Sequence, residues 1–338
     1  MKAWIIGFAF VLLPLPLPAL GNGAISEFPA GGVQFLQSAD IAIEREDLYL
    51  SLEQVRVHYD YRSDAAGTQH VTIGFPMPAV PIDGGPDQLG GAINIDAGDP
   101  LNYMLFKASV NGVPVETTLH EYAWFKGENI TEELNKAGVP LYLPYDETNE
   151  RLAGVDQKTI ADMIARGLIV PTGLGDLGGP LWQYQAVYEW EQDFAPGITQ
   201  VDISYVPLTG YPGDIFDYYE VDPDRVYCVD DGVRAVINDY RGRGVAYEVQ
   251  TLSYILTTAQ YWKGPIGEFN LTVQKEQPDP VNGIAGTVLA FCGMRDAVET
   301  EKDFRLSQRD FAPKNDISVV WYAFYDFSGT EEGEAPAE

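Results

Sequence analysis

Basic residues are scarce: 21 Lys and Arg stand against 50 Asp and Glu in 338 residues, a formal charge of −29. A chain of that sign repels polyanions, which excludes nucleic-acid binding and disfavours anionic membrane surfaces. Histidine is scarcer still. His58, His70 and His120 are the only three, and none has a second histidine at the spacing of a helical zinc motif. Two cysteines are too few for a thiolate zinc site. There is no G-x-S-x-G nucleophile elbow, no internal repeat, and no apolar run after the first twenty residues that is long enough to span a bilayer. No cofactor is implied.

Lys2 followed by the uncharged run to Pro18, then Ala19 and Gly21, reads as a secretory leader with a small-residue cleavage pattern. The run is short for a membrane anchor and is broken by Pro14, Pro16 and Pro18. Residues 1–21 are therefore expected to be a signal peptide, the mature protein to be periplasmic, and no membrane span to remain after cleavage. In an exported chain the even pair Cys228 and Cys292 reads as one disulfide. A catalytic thiol is the competing reading, and Asp230 and Asp231 nearby oppose a thiolate.

Strand patterns dominate. Val55, Val57, Tyr59 and Tyr61 alternate with Arg56, His58 and Asp60, giving one dry face and one wet one. Ile41 and Ile43 alternate upstream, with Asp47 to Gln54 expected as the connection. Val71 to Phe75 is a third strand, residues 81–100 a loop, and Phe106 to Trp124 a hairpin turning at Asn111-Gly112. Helices are first expected near the middle: one capped by Asn129 or Thr131 and ending near Gly138, and one starting at Asp156 with Ile160, Met163 and Ile164 on one face. Later strands cover Tyr184 to Trp190, Val201 to Tyr205, Val249 to Leu256, Phe269 to Val273, Thr287 to Phe291 and Ile317 to Phe324, with a short helix over Val233 to Tyr240 capped by Asp230 or Asp231 and closed by Gly242. The expected fold is mainly β: a β-sandwich-like body of antiparallel strands over 22–327 with a small helical insertion. That body is either one unit or two sub-domains, 22–127 and 181–327, flanking an insertion at 128–180. Residues 328–338 read as an acidic disordered tail.

Several segments together resemble the exported bacterial proteins of the domain of unknown function 4424 family. They are Glu46-Asp47-Leu48-Tyr49, Val55-Arg56-Val57-His58-Tyr59, Phe75-Pro76-Met77-Pro78, Tyr188-Glu189-Trp190-Glu191-Gln192, Tyr227-Cys228, Trp262-Lys263-Gly264-Pro265-Ile266-Gly267 and Phe291-Cys292-Gly293. The resemblance implies an exported, disulfide-bearing β protein and carries no activity with it.

Candidate chemistry is sparse. Tyr261, Trp262 and Lys263 in the Trp-Gly-Pro corner, together with Tyr219 in the acidic aromatic run, are the candidate ligand-binding residues; Trp262 is either an aromatic platform or a plug closing the end of the sandwich. The acidic run from Asp214 to Asp231 suggests Ca²⁺ by composition but lacks the alternate spacing of a calcium loop, so no metal residues are assigned. His58, with Arg56 and Asp60, reads as a solvated strand face. These features favour a non-catalytic envelope module that binds an unknown ligand or protein. The alternative is a hydrolase of envelope polymers using Asp or Glu as acid and base.

Overall fold

The structure, a computed structural model, describes residues 23–27, 34–81, 89–90, 102, 104–142, 148–171, 177–207, 209–210, 226–276 and 284–325. The expected leader and tail, Tyr219 and most of the acidic run lie outside these residues. Strands are numbered in chain order. An eight-stranded sheet runs in the order β20 (Val298–Glu299), β21 (Asp303–Phe311), β18 (Ile266–Gln274), β3 (Ile41–Leu50), β4 (Val55–Ser63), β15 (Gly197–Tyr205), β8 (Lys107–Val110) and β9 (Val113–Val115). All its pairings are antiparallel except β18 with β3.

Its dry face is covered by two further sheets. Seven strands, β11 (Glu128–Asn129), β10 (Thr118–Phe125), β14 (Gln183–Phe194), β5 (Gln69–Pro76), β1 (Ala24–Glu27) and β2 (Gln34–Phe35), with β6 (Val80–Pro81) beside β14, pack over one part. There Phe106 stacks on Tyr188 at 4.1 Å, and Tyr61 meets Phe194 edge-on at 5.3 Å. Five strands, β19 (Ile284–Phe291), β22 (Ile317–Tyr325), β17 (Ala246–Tyr254), β16 (Thr209–Gly210) and β7 (Leu89–Gly90), cover the other. Here Tyr254 reaches Tyr59, hydroxyl to hydroxyl at 2.9 Å, and Phe291 meets Phe304. Burying this many aromatic and branched side chains, at about 25 cal/mol per Å² of apolar surface, is the main favourable term in such a layered body.

The small helices and a two-stranded ribbon, β12 (Ile169–Pro171) with β13 (Leu177–Pro180), fill the middle of the chain. Helix α1 (Thr131–Ala137) ends at Gly138, whose φ of 69° is left-handed. Thr131 does not cap it by side chain: its hydroxyl accepts from the Ala123 amide, and Asn129 accepts from the Thr131 amide. After the short α2 (Thr148–Arg151), α3 (Gln157–Ala165) begins at Asp156, whose carboxylate accepts from the amides of Lys158 and Thr159 at 3.0 Å. Helix α4 (Asp231–Gly242) is capped in the same way by Asp230 and lies on the outer face of the five-stranded sheet, with Tyr240 stacked on Phe324 at 3.9 Å. It ends with Gly242, as expected, and the left-handed turn follows at Gly244, with φ 73°.

Two further expectations are corrected. The hairpin at Asn111-Gly112, both at positive φ as a tight primed turn requires, ends at Val115; β10 then leaves for the other sheet and pairs with β14. Asp47 to Leu50 is strand rather than connection. The register slips between Ile43 and Arg45, a bulge that inverts which side chains face inward, so Ile41 and Ile43 are followed inside by Glu46, Leu48 and Leu50. Asp47 and Tyr49 consequently join the wet face.

Candidate functional site

The disulfide is formed: Cys228 and Cys292 are bonded, with Cα atoms 5.0 Å apart, and the bond ties the start of α4 to the end of β19 across 64 positions. Both cysteines are exposed. They close a structural loop and leave no free thiol among the described residues.

Of the two roles the sequence leaves open for Trp262, the structure gives the buried one. Its ring is 2 % exposed, packs 4.6 Å from Tyr61 and 5.9 Å from Phe194, and donates its indole N–H to the Gly23 carbonyl at 2.8 Å. An indole enclosed on both faces offers no platform to a ligand. Tyr261 is half-buried against Phe35, and Lys263 pairs with Asp64 at 2.8 Å while its amide donates to Ile41. The corner is a seam between β1, β3 and the strand that follows it. Among the described residues no group of three or more His, Cys, Asp or Glu is arranged to hold a metal ion, and Asp230 spends its carboxylate on the α4 cap.

The concave feature lies elsewhere, on the wet face of the eight-stranded sheet. A groove of 1230 Å³ runs over β18, β3, β4, β15 and β8, with the β8–β9 hairpin and residues 116–117 as one wall. Antiparallel and parallel registers align its floor into two rows. One row crosses the sheet as Thr272, Tyr49, Arg56, Ser204 and Lys107. The next, two residues along each strand and about 7 Å away, is Asn270, Asp47, His58, Asp202 and Ser109.

The second row is internally satisfied. Asp47 accepts from Arg45 at 2.9 Å and from Asn270 at 2.8 Å, and Asn270 also donates to Glu268 at 3.0 Å. Partial burial would raise the Asp47 carboxyl, but these donors outweigh it and hold the group below the usual carboxylate range. His58 lies with Nδ1 2.7 Å from Asp202 and Nε2 3.4 Å from Asp60. His70 and His120 make comparable cross-strand pairs, with Asp193 and Glu189, outside the groove. The first row differs. Arg56 lies with its guanidinium carbon 4.1 Å from the Tyr49 ring centre, and neither Arg56 nor Lys107 makes an ion pair among the described residues.

Sequence reasoning saw the His58, Arg56 and Asp60 face but not the groove. The available signal was the shared parity of β4 and β15, both with alternate polar residues. Lys107 and Asn270 join only through pairings that no local pattern reveals.

Likeness to solved structures is weak. The chain is similar to a proposed nutrient binding protein from Legionella pneumophila at 15% identity and a TM-score of 0.41, over 90% of this chain and 71% of the other. It is more remotely similar to a two-domain M1 zinc metallopeptidase, at 9% identity and a TM-score of 0.22, and to an M1 zinc metallopeptidase from Deinococcus radiodurans, at 9% and 0.20. In these it covers 85% of its own length but only 44% and 43% of theirs. No curated protein matches the sequence. The family profile matches residues 21–320, and with the strand layers and the Cys228–Cys292 bridge in place the chain belongs to the family designated domain of unknown function, DUF4424.

Proposed function

We propose that the protein is an exported, non-catalytic binding module of the bacterial periplasm that holds a small polar ligand in the groove on its eight-stranded sheet. The groove itself carries this reading: 1230 Å³ of concave space on a rigid sheet floor, lined by side chains already fixed by hydrogen bonds to one another. Sites that hold their polar groups in place before the ligand arrives lose less entropy on binding. The disulfide supports an oxidising compartment, and in this reading residues 1–21 are the leader that is removed. No described helix is long and apolar enough to cross a membrane. A hydrolase of envelope polymers would need one carboxyl held protonated beside an ionised one. Asp47, on the groove floor, is held below the usual carboxylate range by Arg45 and Asn270, the opposite of what such an acid needs.

The test is a thermal-unfolding screen of the mature protein against small polar metabolites, run in parallel on Ser109→Trp, which fills the groove from the β8 side. A ligand at about a hundred times its Kd adds about 2.7 kcal/mol to the folded state, which for a chain of this size raises the midpoint by roughly 5 °C. The reading expects such a shift in the native protein and its loss in the variant. Equal shifts in both, no shift from any compound, or turnover of glycan or ester substrates would overturn it.

A further inference from the structure

In a chain carrying 50 carboxylates, many exposed cations find one. Arg45, Arg62, Arg166, Arg243, Lys263 and Arg305 all do. Among the described residues the two cations on the first row of the groove floor do not, as Lys126, Lys158 and Arg309 elsewhere do not, but these two stand side by side. Arg56 and Lys107 sit on either side of Ser204, one strand away on each flank, so their Cα atoms are about 10 Å apart and both side chains are long enough to reach over the serine. Two neighbouring positive groups without counter-ions repel each other, and an anion placed between them removes that cost.

The geometry is also prepared for an anion. The Arg56 guanidinium is stacked over Tyr49, and the Tyr49 hydroxyl is itself held by Gln274, so the fork is oriented before anything binds. The Ser204 hydroxyl is available as a donor, half-buried between the two cations. The adjacent row, with Asp47 and Asp202, repels an anion and confines it to the Arg56 end.

We propose that Arg56, Ser204 and Lys107 form an oxyanion subsite, and that the ligand of this groove is a small molecule entering with a carboxylate or phosphate group bound there. The proposal rests on the reading of the groove as a ligand site and specifies the chemistry of that ligand.

The experiment is calorimetric titration of the mature protein, at low ionic strength, with succinate and separately with inorganic phosphate. Saturable binding of at least one is expected, with the stronger probe assigning carboxylate or phosphate as the preferred group. Arg56→Gln and Lys107→Gln should each weaken it tenfold or more, as loss of a charge-assisted contact does, while Lys302→Gln, an exposed lysine outside the groove, should leave it unchanged. Circular dichroism of each variant confirms folding, which these exposed positions do not threaten. Absence of binding by both anions, or binding indifferent to both groove substitutions, overturns the oxyanion subsite. The Ser109→Trp comparison is read independently, so a groove that binds neutral ligands would sink this inference and leave the binding module standing.

Discussion

Raising the pH should unfold this protein through its tyrosines. Tyr59, Tyr61, Tyr205 and Tyr254 are buried where the eight-stranded sheet meets its two covering sheets, and burial pushes each phenol above its ordinary value of 10.0, with the neighbouring Glu46 adding to the effect at Tyr59, Tyr61 and Tyr254. Glu46 is wholly buried because of the β3 bulge, and the Tyr254 hydroxyl reaches it at 3.4 Å. Below pH 10 the phenols are protonated in both folded and unfolded chains and contribute no pH dependence. Above it the unfolded chain releases protons that the folded chain retains, so stability falls as pH rises. At pH 11 each such group costs about 1.4 kcal/mol, and the four together about 6 kcal/mol. That is comparable to the whole net stability of an ordinary domain, roughly 5–15 kcal/mol. Urea unfolding followed by tryptophan fluorescence at pH 8, 10 and 11 measures the loss directly. Tyr205→Phe, which keeps the ring and removes one ionisable hydroxyl, should recover about a quarter of it. An absorbance titration in which all 20 tyrosines ionise near pH 10 with the fold intact would refute the argument.

Reduction of the Cys228–Cys292 bridge, reached directly by dithiothreitol because both cysteines are exposed, should lower unfolding stability by about 4 kcal/mol for a loop of 64 positions; an unmoved urea midpoint would show that the loop is already restrained. Gly267→Ala should be costly, about 1–3 kcal/mol, because its Cβ would lie 2.6 Å from the Glu44 carbonyl oxygen at the β3 bulge and the β3–β18 seam would have to part; a wild-type melting temperature would contradict the close approach.

Much of the sheet body was legible because its signals are local. The alternation in Val55 to Tyr61 placed β4 and both its faces, and the Asp156 and Asp230 caps located two helices. What failed to read locally failed for physical reasons. Ile41 and Ile43 set a parity that a single inserted residue reverses, which turns Glu46 inward and keeps Asp47, expected in a connection, within the strand. The charged β21, with Arg305, Arg309 and Asp310 among its residues, has only Phe304 and Leu306 in alternation to announce it and is recruited by pairing with β18. The groove shares that origin. Its floor draws on five strands spread over most of the sequence, and Trp262, the most conspicuous local composition, turned out to serve the core instead.

The seam between β3 and β18, the one parallel pairing among the described strands, bears on the order of events during folding. Asp47 and Asn270 face each other across it from positions 223 residues apart, so one margin of β3 stays bare until nearly the whole chain has been delivered. Sheets closed by such distant partners assemble slowly, and a naked strand margin is sticky while it waits. A nascent chain stopped before Ile266 would carry that margin permanently, so the early strands are committed to waiting for the late ones, and premature termination should yield aggregates rather than a smaller working protein.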